Sequence, residues 1–200
     1  MSDQRSNDKI KIGLIYGSTR NGRFCDTVAR WAANEISSAG KYELDLIDPA
    51  LINPAIIDSA KETHAHPQQK PSLSERMSAA DAFVVVTPEY NHGYTAPLKS
   101  LIDSVGAEWH AKPVAFVSYG GISGGLRAVE QLRLVFAELH AVTIRDSVSF
   151  AGAWEQFNEA GEPRHPDRSR RSMAAMLARL HWWAVALRNA RGAVPYATAI

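Results

Sequence analysis

Three short stretches carry residue types that can hold a small molecule. The first, Gly17-Ser18-Thr19-Arg20-Asn21-Gly22-Arg23, combines hydroxyls, guanidiniums and glycines. Between a strand and the N-terminus of a helix, unpaired backbone N–H groups, the Ser18 and Thr19 hydroxyls and the Arg20 guanidinium together suit a terminal phosphate. A Walker lysine motif is lacking, and Gly17 and Gly22 do not form the G-x-G-x-x-G fingerprint. Neither a P-loop nucleotidase nor a Rossmann dehydrogenase is therefore supported. The same residues also read as a Ser/Gly turn capped by its own hydroxyls.

The second stretch, Thr87-Pro88-Glu89-Tyr90-Asn91-His92-Gly93-Tyr94, offers aromatic faces, an amide for a heterocycle edge and a proline that holds the backbone. Such a loop suits a flat ring. The alternative is that Glu89 and Asn91 cap the following helix while the tyrosines pack at its base. The third, Ser118-Tyr119-Gly120-Gly121-Ile122-Ser123-Gly124-Gly125, has four glycines that let the main chain approach a ligand closely. A tight turn plus a helix N-cap explains one or two of them.

The sequence between these stretches predicts the elements that position them. Residues 9–16, 81–87 and 113–119 are apolar runs of buried-strand type, with 81–87 the most central, and 42–47 and 141–148 read as two further strands. Helical spacing marks 24–38, 72–80, 96–105, 126–140 and about 170–187, and Ser72 with Glu75 forms a capping box. Strands that alternate with helices require crossovers, which implies an α/β, doubly wound parallel sheet with helices on both faces. Ligands then bind beyond the C-terminal strand ends, where all three stretches lie. We expect one domain over 9–187, a polar tail over 1–8, a long surface excursion over 49–71 and a loose tail over 188–200.

Other classes are excluded by composition. Twenty-two Lys and Arg against 21 Asp and Glu leave no field that would steer the chain to nucleic acid or an anionic membrane. No apolar run reaches the roughly 20 residues of a membrane span. The first eight residues lack the apolar stretch of a secretory signal, so a cytoplasmic protein is expected. Cys25 is the single cysteine, and Cys25 and Arg30 do not give the C-x5-R spacing of a cysteine phosphatase. It reads as a small buried residue at a helix start. The seven histidines are scattered, only His64 and His66 being close, so no metal is expected. Trp182 and Trp183 occupy adjacent helix positions and cannot share one core, which puts one of them at a subunit contact.

GSTRNGR after the first strand, TPEYNHGYTAPLKSLID after the third, and SYGG with GGLRA after the fourth resemble the NADPH-dependent FMN reductase family of quinone, azo-dye and chromate reductases. The resemblance covers about residues 10–130. It implies a flavodoxin-like five-stranded sheet of order 2-1-3-4-5, with the FMN phosphate held by Ser18 and Arg20 and flanked by Phe24 and Cys25. It implies further that Pro88, Glu89, Tyr90 and Asn91 meet the flavin ring and that Ser118, Tyr119, Gly120 and Gly121 approach its pyrimidine side. Many members have Ser or Asn where Arg23 and Cys25 stand, a departure that bears on the phosphate contacts at those two positions. The implied activity is hydride transfer from NADPH or NADH through FMN to a small acceptor by a ping-pong mechanism, in a homodimer or homotetramer. Arg20, Arg23 and Arg127 are the candidates for a nicotinamide 2′-phosphate. The alternative is a flavodoxin-type carrier of single electrons; such carriers are strongly acidic, and this chain is not.

Overall fold

The computed structural model describes residues 9–52 and 71–198. Five strands, β1 (Ile10–Tyr16), β2 (Tyr42–Ile47), β3 (Ala82–Pro88), β4 (Pro113–Gly120) and β5 (Val142–Ala151), form one sheet. Every neighbouring pair is parallel and the order is β2-β1-β3-β4-β5, the flavodoxin-like arrangement. Chain direction across the sheet reverses between β1 and β3. The crevice outside the carboxyl ends of those strands is therefore the switch point.

The sheet is covered on both faces because its inner strands are apolar on both. Val84 and Val86 of β3, with Ala115 and Val117 of β4, pack under α1 (Cys25–Ser38) and the long C-terminal helix. Phe83, Val85, Val114 and Phe116 point the other way, into a core formed with α2 (Leu73–Ala79), α3 (Ala96–Asp103) and α4 (Leu126–Glu138). Gly13 of β1 makes room for Phe83, since a Cβ there would lie 2.8 Å from the ring. The Ser72–Glu75 capping box forms as predicted, and Thr95 caps α3. A short helix, α5 (Ala153–Gln156), leads from β5 toward α6 (Pro166–Ala193).

Several boundaries differ from expectation. β3 runs on to Pro88, β4 to Gly120 and β5 to Ala151. The last helix starts at Pro166, whose missing N–H costs nothing in the first turn, and ends at Ala193, so residues 188–193 are not a loose tail. Arg188 and Arg191 hold that end by pairing with Asp81 at 3.4 and 3.8 Å. Tyr196 beyond it bonds His140 Nδ1 at 2.9 Å. Trp182 and Trp183 do not share the core, as expected: Trp183 packs against it, while Trp182, in edge contact with Trp183, is 63% exposed. Among the described residues no helix is long and apolar enough to cross a membrane. The expected tail over 1–8, the excursion with His64 and His66, except for a 3-10 turn at Pro49–Leu51, and the last two residues lie outside the described residues.

Candidate functional site

The first loop is anchored at both ends. Gly17 donates its N–H to Val86 O at 2.8 Å, so close to β3 that a Cβ would sit 2.6 Å from that oxygen. Thr95 Oγ1 donates to Gly17 O at 2.6 Å, tying the loop to the start of α3. Arg23 folds inward: it donates to the carboxylates of Asp48 and Asp26 and to Ser18 O, and the Arg23 and Asp48 side chains are 9% and 11% exposed. Arg20 stays outside. Its guanidinium lies 3.7 Å above the Tyr90 ring and has no carboxylate partner among the described residues. Unlike α2 and α3, α1 opens without a side-chain cap; Asp26 and Thr27 donate their N–H groups back to Arg23 O and Phe24 O, and among the described residues the N–H groups of Phe24 and Cys25 are left for another acceptor.

The second loop leaves β3 through Glu89 and reverses in a turn closed by mutual Tyr90 and Gly93 backbone bonds of 3.0 and 3.1 Å. Asn91 and His92, the exposed centre of that turn, both have positive φ, at 50° and 73°. Two consecutive non-glycine residues in that region cost about 1–2 kcal/mol each, which the anchored surroundings impose. Tyr90 reaches back to the first loop, its hydroxyl 3.0 Å from Ser18 Oγ.

The third loop is joined to the second by Glu89. Its carboxylate accepts from Ser123 Oγ at 2.7 Å, from Arg127 Nη1 at 2.7 Å and from the Arg127 N–H at 3.2 Å. Burial alone raises the Glu89 carboxyl, but these donors outweigh it and hold it below the ordinary glutamate value. Gly124 and Gly125 take positive φ and press on the ends of β4 and β5, where a Cβ would fall 2.3 Å from Ser149 Oγ and 2.8 Å from Ser118 Cβ. These two glycines are explained by packing. Gly121 faces open space with nothing near its missing Cβ.

The predicted site residues thus divide. Arg20, Phe24, Tyr90, Asn91 and Gly121 are brought together at the open end of the sheet, exposed or half-buried. Six others are buried. Ser18 is buried with its hydroxyl committed to Tyr90. Cys25 is buried with its thiol aimed at Val86 O, and burial pushes it up to about 11. Pro88 is still inside β3. Ser118 donates to Gly124 O at 2.8 Å. The Tyr119 ring points into the core, where its hydroxyl has no hydrogen-bond partner among the described residues and burial raises its pKa. Gly120 closes β4. The common cause is that β3 and β4 are covered on both faces, so every side chain up to the strand's end is buried. Glu89 is neither a free ring contact nor a cap for α3; it bridges two loops and caps α4. Thr95, Asp48 and Ser123 were missed, although Asp48 stands at the C-terminal end of β2, beside the first loop in the sheet order.

The donor set at the open end fits a phosphate carrying a planar ring. An uncapped helix start and a free guanidinium suit the anion, and a strained turn with an open glycine flanks the space beside it. A family model described as NADPH-dependent FMN reductase matches residues 10–155, a span that holds all three loops. A Schizosaccharomyces pombe protein named NAD(P)H-dependent FMN reductase is 37% identical over 125 residues, covering 58% of this chain and 60% of its own length. The chain thus spans less than two thirds of that relative. A Solanum tuberosum protein named NAD(P)H:quinone oxidoreductase is 30% identical over 179 residues, covering 84% of this chain and 90% of its own. The crystal structure of an apo NADH:FMN oxidoreductase superposes with a TM-score of 0.68 at 19% identity, covering 84% of this chain and 88% of that one, a likeness of fold.

Proposed function

Because the chain belongs to the NADPH-dependent FMN reductase family, we propose that it binds FMN at the switch point and reduces a small acceptor with NADPH or NADH. When bound there, FMN supplies the two-electron chemistry by which NADPH, a proton and a quinone become NADP⁺ and a quinol. Azo compounds, metal oxyanions and free flavin are the other acceptors the reading admits. The backbone N–H groups of Phe24 and Cys25 at the start of α1, the Thr19 hydroxyl and the Arg20 guanidinium would hold the phosphate. The Tyr90–Asn91 turn and the main chain at Gly121 would flank the ring.

The observation that carries this reading is the cross-linking of the three loops. Ser18 with Tyr90 joins the first to the second, and Glu89 with Ser123 and Arg127 joins the second to the third. A site fixed before its ligand arrives loses less entropy on binding, which suits a cofactor that stays. Glu89 is the only carboxylate in the three loops, and it is ionised and fully engaged, so the chain's own residues bind and orient rather than transfer protons. One site used in turn by nicotinamide and acceptor makes the kinetics ping-pong. The reading extends to a cytoplasmic protein and, through the exposed Trp182, to a homodimer or homotetramer.

Titrating flavin-free protein with FMN and with FAD tests the cofactor. Saturable quenching of FMN fluorescence at one flavin per chain is expected, with FAD weaker because no adenine-directed motif accompanies the phosphate loop. A chain that takes up neither flavin contradicts the proposal.

A further inference from the structure

Trp154 is the largest apolar side chain that the chain leaves in the open beside the candidate site. It is 62% exposed, although burying an indole is among the larger gains a core can make. Its position is tightly set. Gly152, at φ +61°, turns the chain out of β5 and donates its N–H to Gly121 O at 2.9 Å, fastening the β5 exit to the third loop. Ala153 is fully buried and fixes the start of α5. Trp154 then packs its ring 6.1 Å from that of Phe24, the residue that opens α1 in the first loop. The indole therefore stands where the first and third loops meet, backed by Phe24 and open on its outer side. Ile122, in the third loop, is 93% exposed.

The guanidiniums of the three loops hold little charge in reserve for an anionic acceptor. Arg23 is neutralised by Asp48 and Asp26, and Arg127 by Glu89. That leaves Arg20 as the one unpaired guanidinium among these three, and the phosphate accounts for it. We propose that Trp154 is the residue against which the acceptor stacks, and that it selects planar aromatic acceptors, quinones and azo-arenes, over inorganic anions. The inference rests on the FMN-reductase reading of the site and adds its acceptor-discriminating residue.

The test compares Trp154→Ala and Trp154→Phe with the wild type, all loaded with FMN and kept oxidised. Titration with 1,4-naphthoquinone by calorimetry, without reductant, gives an equilibrium Kd. The Ala variant is expected to bind about tenfold more weakly and the Phe variant within about threefold of wild type, as loss and retention of one stacking partner imply. In turnover, KM for naphthoquinone should rise in the Ala variant while kcat/KM for ferricyanide, a non-aromatic anion, is unchanged. An unaltered naphthoquinone Kd, or an equal loss toward ferricyanide, overturns the inference. FMN titration of the same samples separates two failures. A wild-type chain that binds no FMN overturns the family reading and this inference together. One that binds FMN but whose naphthoquinone affinity ignores Trp154 overturns this inference alone.

Discussion

Arg20 and Arg23 lie in one loop and have opposite surroundings, and that difference is testable. Arg23 is buried between Asp48 and Asp26, so Arg23→Met strands the Asp48 carboxylate and should cost about 3–5 kcal/mol of stability in urea unfolding. The Arg20 guanidinium lies over the Tyr90 ring and has no carboxylate partner among the described residues, and Arg20→Ala should cost less than about 1 kcal/mol. It should nonetheless weaken FMN binding about ten- to a hundredfold, as the loss of a charge-assisted contact does. An unchanged FMN affinity would move the phosphate away from this loop. Cys25 supplies a second test. The folded chain keeps the thiol proton to about 11 against 9.0 for a free thiol, so between these values the unfolded chain binds fewer protons. The stability from this group is present below 9 and is lost as pH rises through 11. Cys25→Ala should flatten that decline. In native protein at pH 8 the thiol should ignore a thiol-specific reagent, reacting only in denaturant; prompt native labelling would show that Cys25 is not buried.

At the scale of elements, function and stability occupy opposite ends of the sheet. Asp81 lies just before β3, at the N-terminal end, where it accepts from Lys11 N at 3.0 Å and pairs with Arg188 and Arg191 of α6. Asp81→Ala should lower unfolding stability by about 1–3 kcal/mol and leave the FMN Kd unaltered. A change in flavin affinity would show that the two ends are coupled. The same helix shows what periodicity conveys and what it omits. Met173, Met176, Leu177, Leu180 and Ala184 face the core and announce α6 in the sequence. Its last turn, Arg188 to Ala193, is held by ion pairs to a residue about a hundred positions earlier, which no local pattern encodes. The inner strands β1, β3 and β4 were legible because a strand buried on both faces is a continuous apolar run, whereas the edge strands β2 and β5 are only partly buried. Their ends were not, because Pro88 and Gly120 continue β3 and β4 with residues that usually mark a turn.

For the whole molecule, topology pointed to the candidate site, and the loops after β1, β3 and β4 do converge. Which side chains face the ligand did not follow. Ser118 and Glu89 have suitable chemistry, but Gly124 O and Arg127 use it within the protein, and those partners become visible only when the loops are assembled. The near-neutral charge, 22 basic against 21 acidic residues, gives no field for docking an electron-transfer partner, which favours an enzyme that completes its own reaction. Anaerobic stopped-flow mixing of FMN-loaded protein with NADPH tests that claim directly, with NADH run in parallel. A nicotinamide alone is expected to bleach the flavin's visible absorbance, and a small quinone then to restore it with no second protein present. Flavin that dithionite bleaches but neither nucleotide touches would contradict it and make the chain a carrier.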